Sequence, residues 1–221
     1  MNEAVITEKM LDDVRTGLCE LYEGGLMSEK RYRHTLEVEK MAARLGEILA
    51  PEKISVLRAA GLLHDITKEY PVDMHILICA EHGLELTPLD LCAPKTLHAR
   101  TAALRIPTDY PELAFREVID CVRWHTTGHA GMSLCEKIVY LADYIDMSRK
   151  FEDCVRLRDY FFCEGLEEMT QSEKLAHLDD TLLISYDITI AGLIEKGAPI
   201  SYDTISARNE LAVKKCLKNK E

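Results

Sequence analysis

The chain has 221 residues, 47% hydrophobic and 29% charged, with a formal net charge of −11, which is the make-up of an ordinary soluble globular protein of one or at most two domains. The acidic balance argues against nonspecific nucleic-acid or anionic-membrane binding. No apolar run approaches the roughly 18 residues of a bilayer span, and the opening MNEAVITEKMLDDV lacks the basic and apolar regions of a secretory signal, so a cytoplasmic protein is expected.

Apolar residues recur with helical spacing along the whole chain, and no period-two pattern bounded by hairpin turns interrupts them. The spacing predicts helices over 7–23, 28–49, 54–67, 72–82, 97–105, 111–125, 133–147, 153–163, 171–196 and 202–218. Ser28, Ser133 and Ser172 read as N-caps, and Glu136 three residues after Ser133 completes a capping box. Gly24-Gly25, Gly83 and Gly197 read as stops, with Pro51, Pro71 and Pro111 opening the elements that follow. The stretch 83–95 and the turn 126–131 read as loops. The basic tail 213–220 reads as a helix C-terminus, where cations are favoured. The expected fold is one all-α domain over 1–221: a helical core at about 28–147, with C-terminal helices at about 153–218 packed on it. Eight scattered cysteines, none in a CxxC pair, read as reduced thiols.

The chemistry concentrates at His64-Asp65, at the polar end of the apolar run Ala59-Ala60-Gly61-Leu62-Leu63. An imidazole and a carboxylate buried there need a partner, and a divalent cation accepts both. His34 shares a helix face with Val38, Met41 and Leu45, so it points toward the core. His98 stands near a helix start, His125 closes a helix, and Asp143 interrupts the apolar segment Ile138–Ile145. Taken singly, each has a bland alternative, such as a hydrogen-bonded core histidine or a carboxylate paired with arginine. Together, four imidazoles and two carboxylates suit two octahedral first-row metals that share a bridging oxygen. Such mixed ligation fits iron or manganese better than magnesium, with zinc a further option. His129 is a candidate for substrate contact, whereas His75, His82 and His177 read as surface or helix-end residues.

The order His…His-Asp…His…His…Asp resembles the HD-domain metal-dependent phosphohydrolases. Leu62-Leu63-His64-Asp65-Ile66-Thr67-Lys68, Trp124-His125-Thr126-Thr127-Gly128, and Leu141-Ala142-Asp143-Tyr144-Ile145 followed by Arg149 narrow the resemblance to the YqeK family. That family comprises symmetrical bis(5'-nucleosyl)-tetraphosphatases. The resemblance covers roughly residues 25–215 and implies an HD-domain helical bundle with the metal site in its core. It puts His34, His64, Asp65 and Asp143 on one metal, and His98, His125 and the bridging Asp65 on the second. It places Lys68 and Arg149 at the phosphates and ranks iron first as the metal. The chain departs from the family pattern at Ala99-Arg100, Asp146-Met147 and Ser201-Tyr202, where Gly-Pro, Glu-Pro and His-Pro are usual.

The activity so implied is hydrolysis of diadenosine tetraphosphate to two ADP by a metal-bridging hydroxide. Asp65 and Lys68 are the expected catalytic residues, and Lys68, Thr126 and Arg149 the expected substrate contacts, with Thr127 and Arg100 as further candidates. Two alternatives stay open: an HD phosphohydrolase acting on a nucleoside monophosphate, a dNTP or ppGpp, and a nucleotide-sensing module whose metal is structural. The expected partners are the nucleotide alone, with neither nucleic acid nor membrane. The sequence leaves open whether the chain forms a homodimer.

Overall fold

The computed structural model describes residues 5–218. In chain order the helices are α1 (Glu8–Glu23), α2 (Glu29–Leu49), α3 (Ile54–Leu63), α4 (Val72–Glu81), α5 (Pro88–Cys92), α6 (Leu97–Asp109), α7 (Arg116–Trp124), α8 (Leu134–Ile145), α9 (Glu152–Phe161), α10 (Gln171–Glu195) and α11 (Tyr202–Lys218). No strand occurs among the described residues. Prolines open the short 3-10 turns at Pro51–Lys53, Pro94–Thr96 and Pro111–Leu113. Their fixed φ suits a first helical position, where the missing N–H costs nothing.

The α2/α3 pair forms the spine. α2 buries Val38, Met41, Ala42, Leu45 and Leu49 along one face, and α3 buries Leu57 and the whole run Ala59–Leu63. The two backbones come close at Gly61, where an added Cβ would lie 2.9 Å from the Glu39 Cα. Only glycine lets the helices meet there. Helices α7 and α8 pack against this pair, α6 lies on α7, and α4 lies on α6. α1 is fastened to the spine by a charged cluster in which Glu39 accepts from Arg15 and Arg58, while Arg58 also binds Glu8. On the far side α10 lies against α2, α8, α9 and α11. One apolar cluster, from Ile6 to Leu211, runs through all of these helices except α4.

Several element ends differ from the sequence expectation, each for a local reason. α3 stops at Leu63 rather than near 67, and the 64–69 segment coils so that the Thr67 hydroxyl donates to the His98 carbonyl, 2.9 Å away. The stretch 83–95, expected as a loop, contains α5, begun by Thr87 and Asp90 in a reciprocal cap with Pro88 at the first helical position. The helix expected over 111–125 is a proline-led turn followed by α7, and α6 runs through Pro107 to Asp109. The N-cap of α10 is Thr170, whose hydroxyl and Glu173 cap each other, not Ser172. All eight cysteines are free thiols. No described helix is long and apolar enough to cross a membrane. The expected ends of the domain at 1–4 and 219–221, with the end of the basic tail at 219–220, lie outside the described residues.

Candidate metal centre

Five helices deliver six side chains to one point in the interior. His34 comes from the middle of α2, His64 and Asp65 from the turn that ends α3, His98 from the first turn of α6, His125 from the end of α7, and Asp143 from α8. All four imidazoles and Asp65 are buried, and Asp65 is only 1% exposed. Three of the rings are aimed by the same device: Nδ1 reaches a backbone carbonyl three residues earlier. His64 bonds Gly61, His98 bonds Lys95 and His125 bonds Val122, each at 2.7 Å. A carbonyl only accepts, so each Nδ1 carries the proton and each Nε2 presents a lone pair to the centre. His34 is aimed instead by Asp146, whose Oδ2 lies 3.2 Å from Nδ1, and by the Ser148 hydroxyl at 3.3 Å.

Asp65 sits in the middle of the ring nitrogens. Its Oδ1 faces His98 Nε2 at 3.1 Å and His125 Nε2 at 3.6 Å, and its Oδ2 faces His64 Nε2 at 3.2 Å and His34 Nε2 at 3.6 Å. Asp143 Oδ1 lies 2.9 Å from His34 Nε2 and 3.8 Å from His64 Nε2. Among the described residues, two groups have ligand atoms close enough to share an ion: His34, His64 and Asp143, and His64, Asp65 and His125.

The donor set fits divalent cations on its own chemistry. Asp65 Oδ1 is buried without a hydrogen-bond partner. The Nε2 atoms of His98 and His125 stand 3.0 Å apart, and those of His34 and His64 stand 3.4 Å apart. With Nδ1 protonated on His64, His98 and His125, their Nε2 lone pairs converge on a space that needs positive charge. The electrostatics agree. Burial works against the His34 imidazolium, yet Asp143 and Asp146 outweigh it and push its pKa up to about 9. Burial dominates at His98 despite Asp65 and pulls its pKa down to about 4. Asp65 and Asp143 are held well below the usual carboxylate range, because the imidazoles around Asp65 and the Arg149 and His34 cations at Asp143 outweigh burial.

Cations rim the centre where it meets solvent. Arg149 Nη2 donates to Asp143 Oδ1 at 2.6 Å, while Lys68 Nζ lies 2.9 Å from His98 Nε2 and 3.7 Å from Asp65 Oδ1. Arg149 and Lys68 therefore stand at opposite ends of the ligand row, each about a third exposed (32%). Thr126 Oγ1 is 3.0 Å from His98 Nε2, and the buried Thr127 hydroxyl has no partner. The turn carrying both threonines is tightened at Gly128, whose φ of +61° and contact with the Tyr186 hydroxyl leave no room for a side chain.

Three residues to which the sequence reading gave no part in the site belong here. Arg31 reaches into the centre and pairs with Asp65 Oδ2. Asp146, fully buried, orients His34, and Arg158 braces its turn by donating to the Ile145 carbonyl at 2.6 Å. His75, expected at the surface, is buried with Nδ1 2.8 Å from the Thr101 hydroxyl, which supports the helix of His98. Two other expectations change. Arg100, a suggested source of positive charge for the site, binds Asp90 at 2.7 Å instead. His129 pairs with Glu136 at 2.9 Å and packs on Trp124.

A family model described as the HD domain matches residues 31–148. A symmetrical bis(5'-nucleosyl)-tetraphosphatase of Halalkalibacterium halodurans is 29% identical over 84% of this chain and 90% of its own length. The protein of the same description in Staphylococcus aureus is 30% identical over 74% of this chain and 82% of its own. The crystal structure of a predicted HD superfamily hydrolase involved in NAD metabolism from Clostridium acetobutylicum superposes with a TM-score of 0.76 at 33% identity, covering 92% of this chain and 97% of that one.

Proposed function

The chain belongs to the HD-domain family, and from that premise we propose that it hydrolyses dinucleoside tetraphosphates symmetrically, releasing two nucleoside diphosphates. The observation that carries this reading is the buried Asp65, whose two oxygens each face a separate pair of imidazole nitrogens. The tetraphosphatase relatives, aligned over most of the chain, supply the substrate class.

His34, His64, Asp65 and Asp143 would hold one divalent cation, and His98, His125 and Asp65 the other. We rank iron first on the family resemblance, then manganese and zinc; four imidazoles with two carboxylates suit such first-row ions better than magnesium. When bound, the cations supply positive charge to phosphoryl oxygens and acidify water to near neutrality. The protein's own side chains do the rest. The Nδ1 anchors hold the rings rigid, which keeps the ligands organised without reorganisation during the reaction. Lys68 and Arg149, at the two ends of the row, bind phosphates on either side of the central anhydride. They offset the overall acidity of the chain where the polyanion must approach. The Thr126 hydroxyl, 3.0 Å from His98 Nε2, would donate to a phosphate oxygen bound there. Since ADP is a good leaving group near neutral pH, no dedicated general acid is required.

The test is anaerobic loading with iron or manganese, incubation with diadenosine tetraphosphate and separation of products by anion exchange. ADP as sole product supports the reading, and AMP with ATP refutes symmetrical cleavage. Asp65→Ala is expected to abolish turnover and metal loading while preserving the helical circular dichroism; normal turnover by that variant would overturn the assignment.

A further inference from the structure

His75 is a buried imidazole that supplies no ligand to the centre. It sits on α4, a short helix whose Val72, Met74, Ile76 and Leu77 are exposed, yet the residue itself is only 4% exposed. Burying an imidazole is costly unless hydrogen bonds replace those it made to water. Here Nδ1 lies 2.8 Å from Thr101 Oγ1 on α6, and Thr101 Oγ1 lies 2.9 Å from Thr67 Oγ1. The Thr67 hydroxyl in turn lies 2.9 Å from the His98 carbonyl. Both threonines are buried as well.

The direction of this string of hydrogen bonds follows from counting protons. The carbonyl only accepts, and each hydroxyl has one proton to give. If Thr67 donates to His98, the proton between the two threonines comes from Thr101, which then has none left for His75. The His75 Nδ1–H must therefore donate to Thr101. Run the other way, with Thr101 donating to Nδ1 and Thr67 to Thr101, the Thr67 and His98 oxygens would face each other at 2.9 Å with no proton between them. Thr101 also lies 3.2 Å from the Leu97 and His98 carbonyls, the back-bond of a helical threonine. Placing its proton there would strand the two threonine oxygens in the same way. One arrangement satisfies all three short contacts: His75 to Thr101 to Thr67 to His98, each bond polarising the next.

Both ends of the string bear on the centre. The His98 ring is aimed by the Lys95 carbonyl, and the string grips the backbone of the same residue. Thr67 stands between Asp65 and Lys68, so the same bonds fix the segment that carries the central carboxylate and the amine 2.9 Å from His98 Nε2. We infer that His75 is a positioning residue: as the donor at the head of the string it holds His98 in register with Asp65, the register on which the second cation depends. The inference rests on the two-cation reading of the centre.

The experiment has two arms. Imidazole nitrogen NMR of the chelator-treated protein at alkaline pH, with the His75 signals assigned by their loss in His75→Asn, is expected to show the Nδ1–H tautomer. The Nε2–H tautomer overturns the direction of the string and the role with it. The second arm is manganese titration followed by electron paramagnetic resonance. His75→Leu keeps the bulk but cannot donate, and is expected to weaken the second manganese about 10- to 100-fold while leaving the first unchanged. His75→Asn, whose side-chain N–H₂ falls where Nδ1 does, restores the second. Thr101→Val removes the middle link and should repeat the His75→Leu result, which decides the matter if His75→Leu does not fold. Second-site affinity equal to wild type in Thr101→Val, or a loss in His75→Leu that His75→Asn does not rescue, overturns the positioning role. A wild type that takes up a single manganese overturns it together with the two-cation reading. A wild type that takes up two and does not cleave diadenosine tetraphosphate overturns the hydrolytic reading alone.

Discussion

Metal uptake should be strongly pH-dependent, because Asp143 and Asp146 favour a proton on His34 that competes with the cation. Burial disfavours that proton, but Asp143 at 2.9 Å from Nε2 and Asp146 at 3.2 Å from Nδ1 outweigh burial and push the pKa up to about 9. A cation ligated by Nε2 must displace it. At pH 7, about two units below that pKa, the competition weakens apparent affinity ~100-fold, or about 2.7 kcal/mol. Manganese affinity, measured anaerobically by competition with a fluorescent chelator, should rise about tenfold per pH unit from 7 and level off near 9. Calorimetry in buffers of different ionisation enthalpy should count about one proton released at pH 7. Asp146→Asn removes one of the two carboxylates, so the break should move to lower pH. Affinity at high pH should fall roughly 10- to 100-fold, as expected when the partner that orients a ligating histidine is lost. A flat profile with no proton released, or an unchanged break in Asp146→Asn, would refute the reasoning.

Other measurements follow from the same geometry. In metal-free protein the raised pKa of His34 contributes stability that is fully present below pH 6.5 and lost as pH rises through about 9. The depressed pKa of His98 acts on the other side, so stability present above pH 6.5 is lost as pH falls toward 4. Thermal unfolding in chelator should therefore peak near pH 6.5, and a melting temperature still climbing at pH 9 would contradict it. Gly61→Ala places a Cβ 2.9 Å from the Glu39 Cα and must spread α2 from α3. The expected cost is about 1–3 kcal/mol, or a fall in Tm of roughly 2–10 °C, and an unchanged Tm would show that the pair separates freely.

The helices were legible because an amphipathic period and capping residues are local signals. Ser28 and Ser133 cap where the sequence places them, and Gly24 ends α1. What failed was also local but needed partners. Thr87-Pro88 opens α5, and Asp90 both completes its cap and pairs with Arg100, a contact no window of sequence reveals. The six histidine and aspartate side chains stood out because polar groups on apolar helix faces are conspicuous. Their supports did not. Arg31 lies in the charged run Glu29–Arg33, which reads as a solvated face, and Asp146 lies just past the last residue of α8. His75 sits on a short helix whose Val72, Met74, Ile76 and Leu77 are exposed, so periodicity gave no hint that the imidazole faces inward.

Ligands drawn from α2, α3, α6, α7 and α8 have a mechanical meaning as well as a chemical one. Ions gripped by His34 near one end of this stretch and Asp143 near the other would act as reversible cross-links, closing long loops of chain as a disulfide does. In an unfolded chain these side chains are scattered, so metal binds the folded state almost exclusively and tightens it by mass action. Free metal concentration then sets how firmly the five helices hold together, and stripping the ions is expected to loosen the α2–α8 seam before the rest of the bundle.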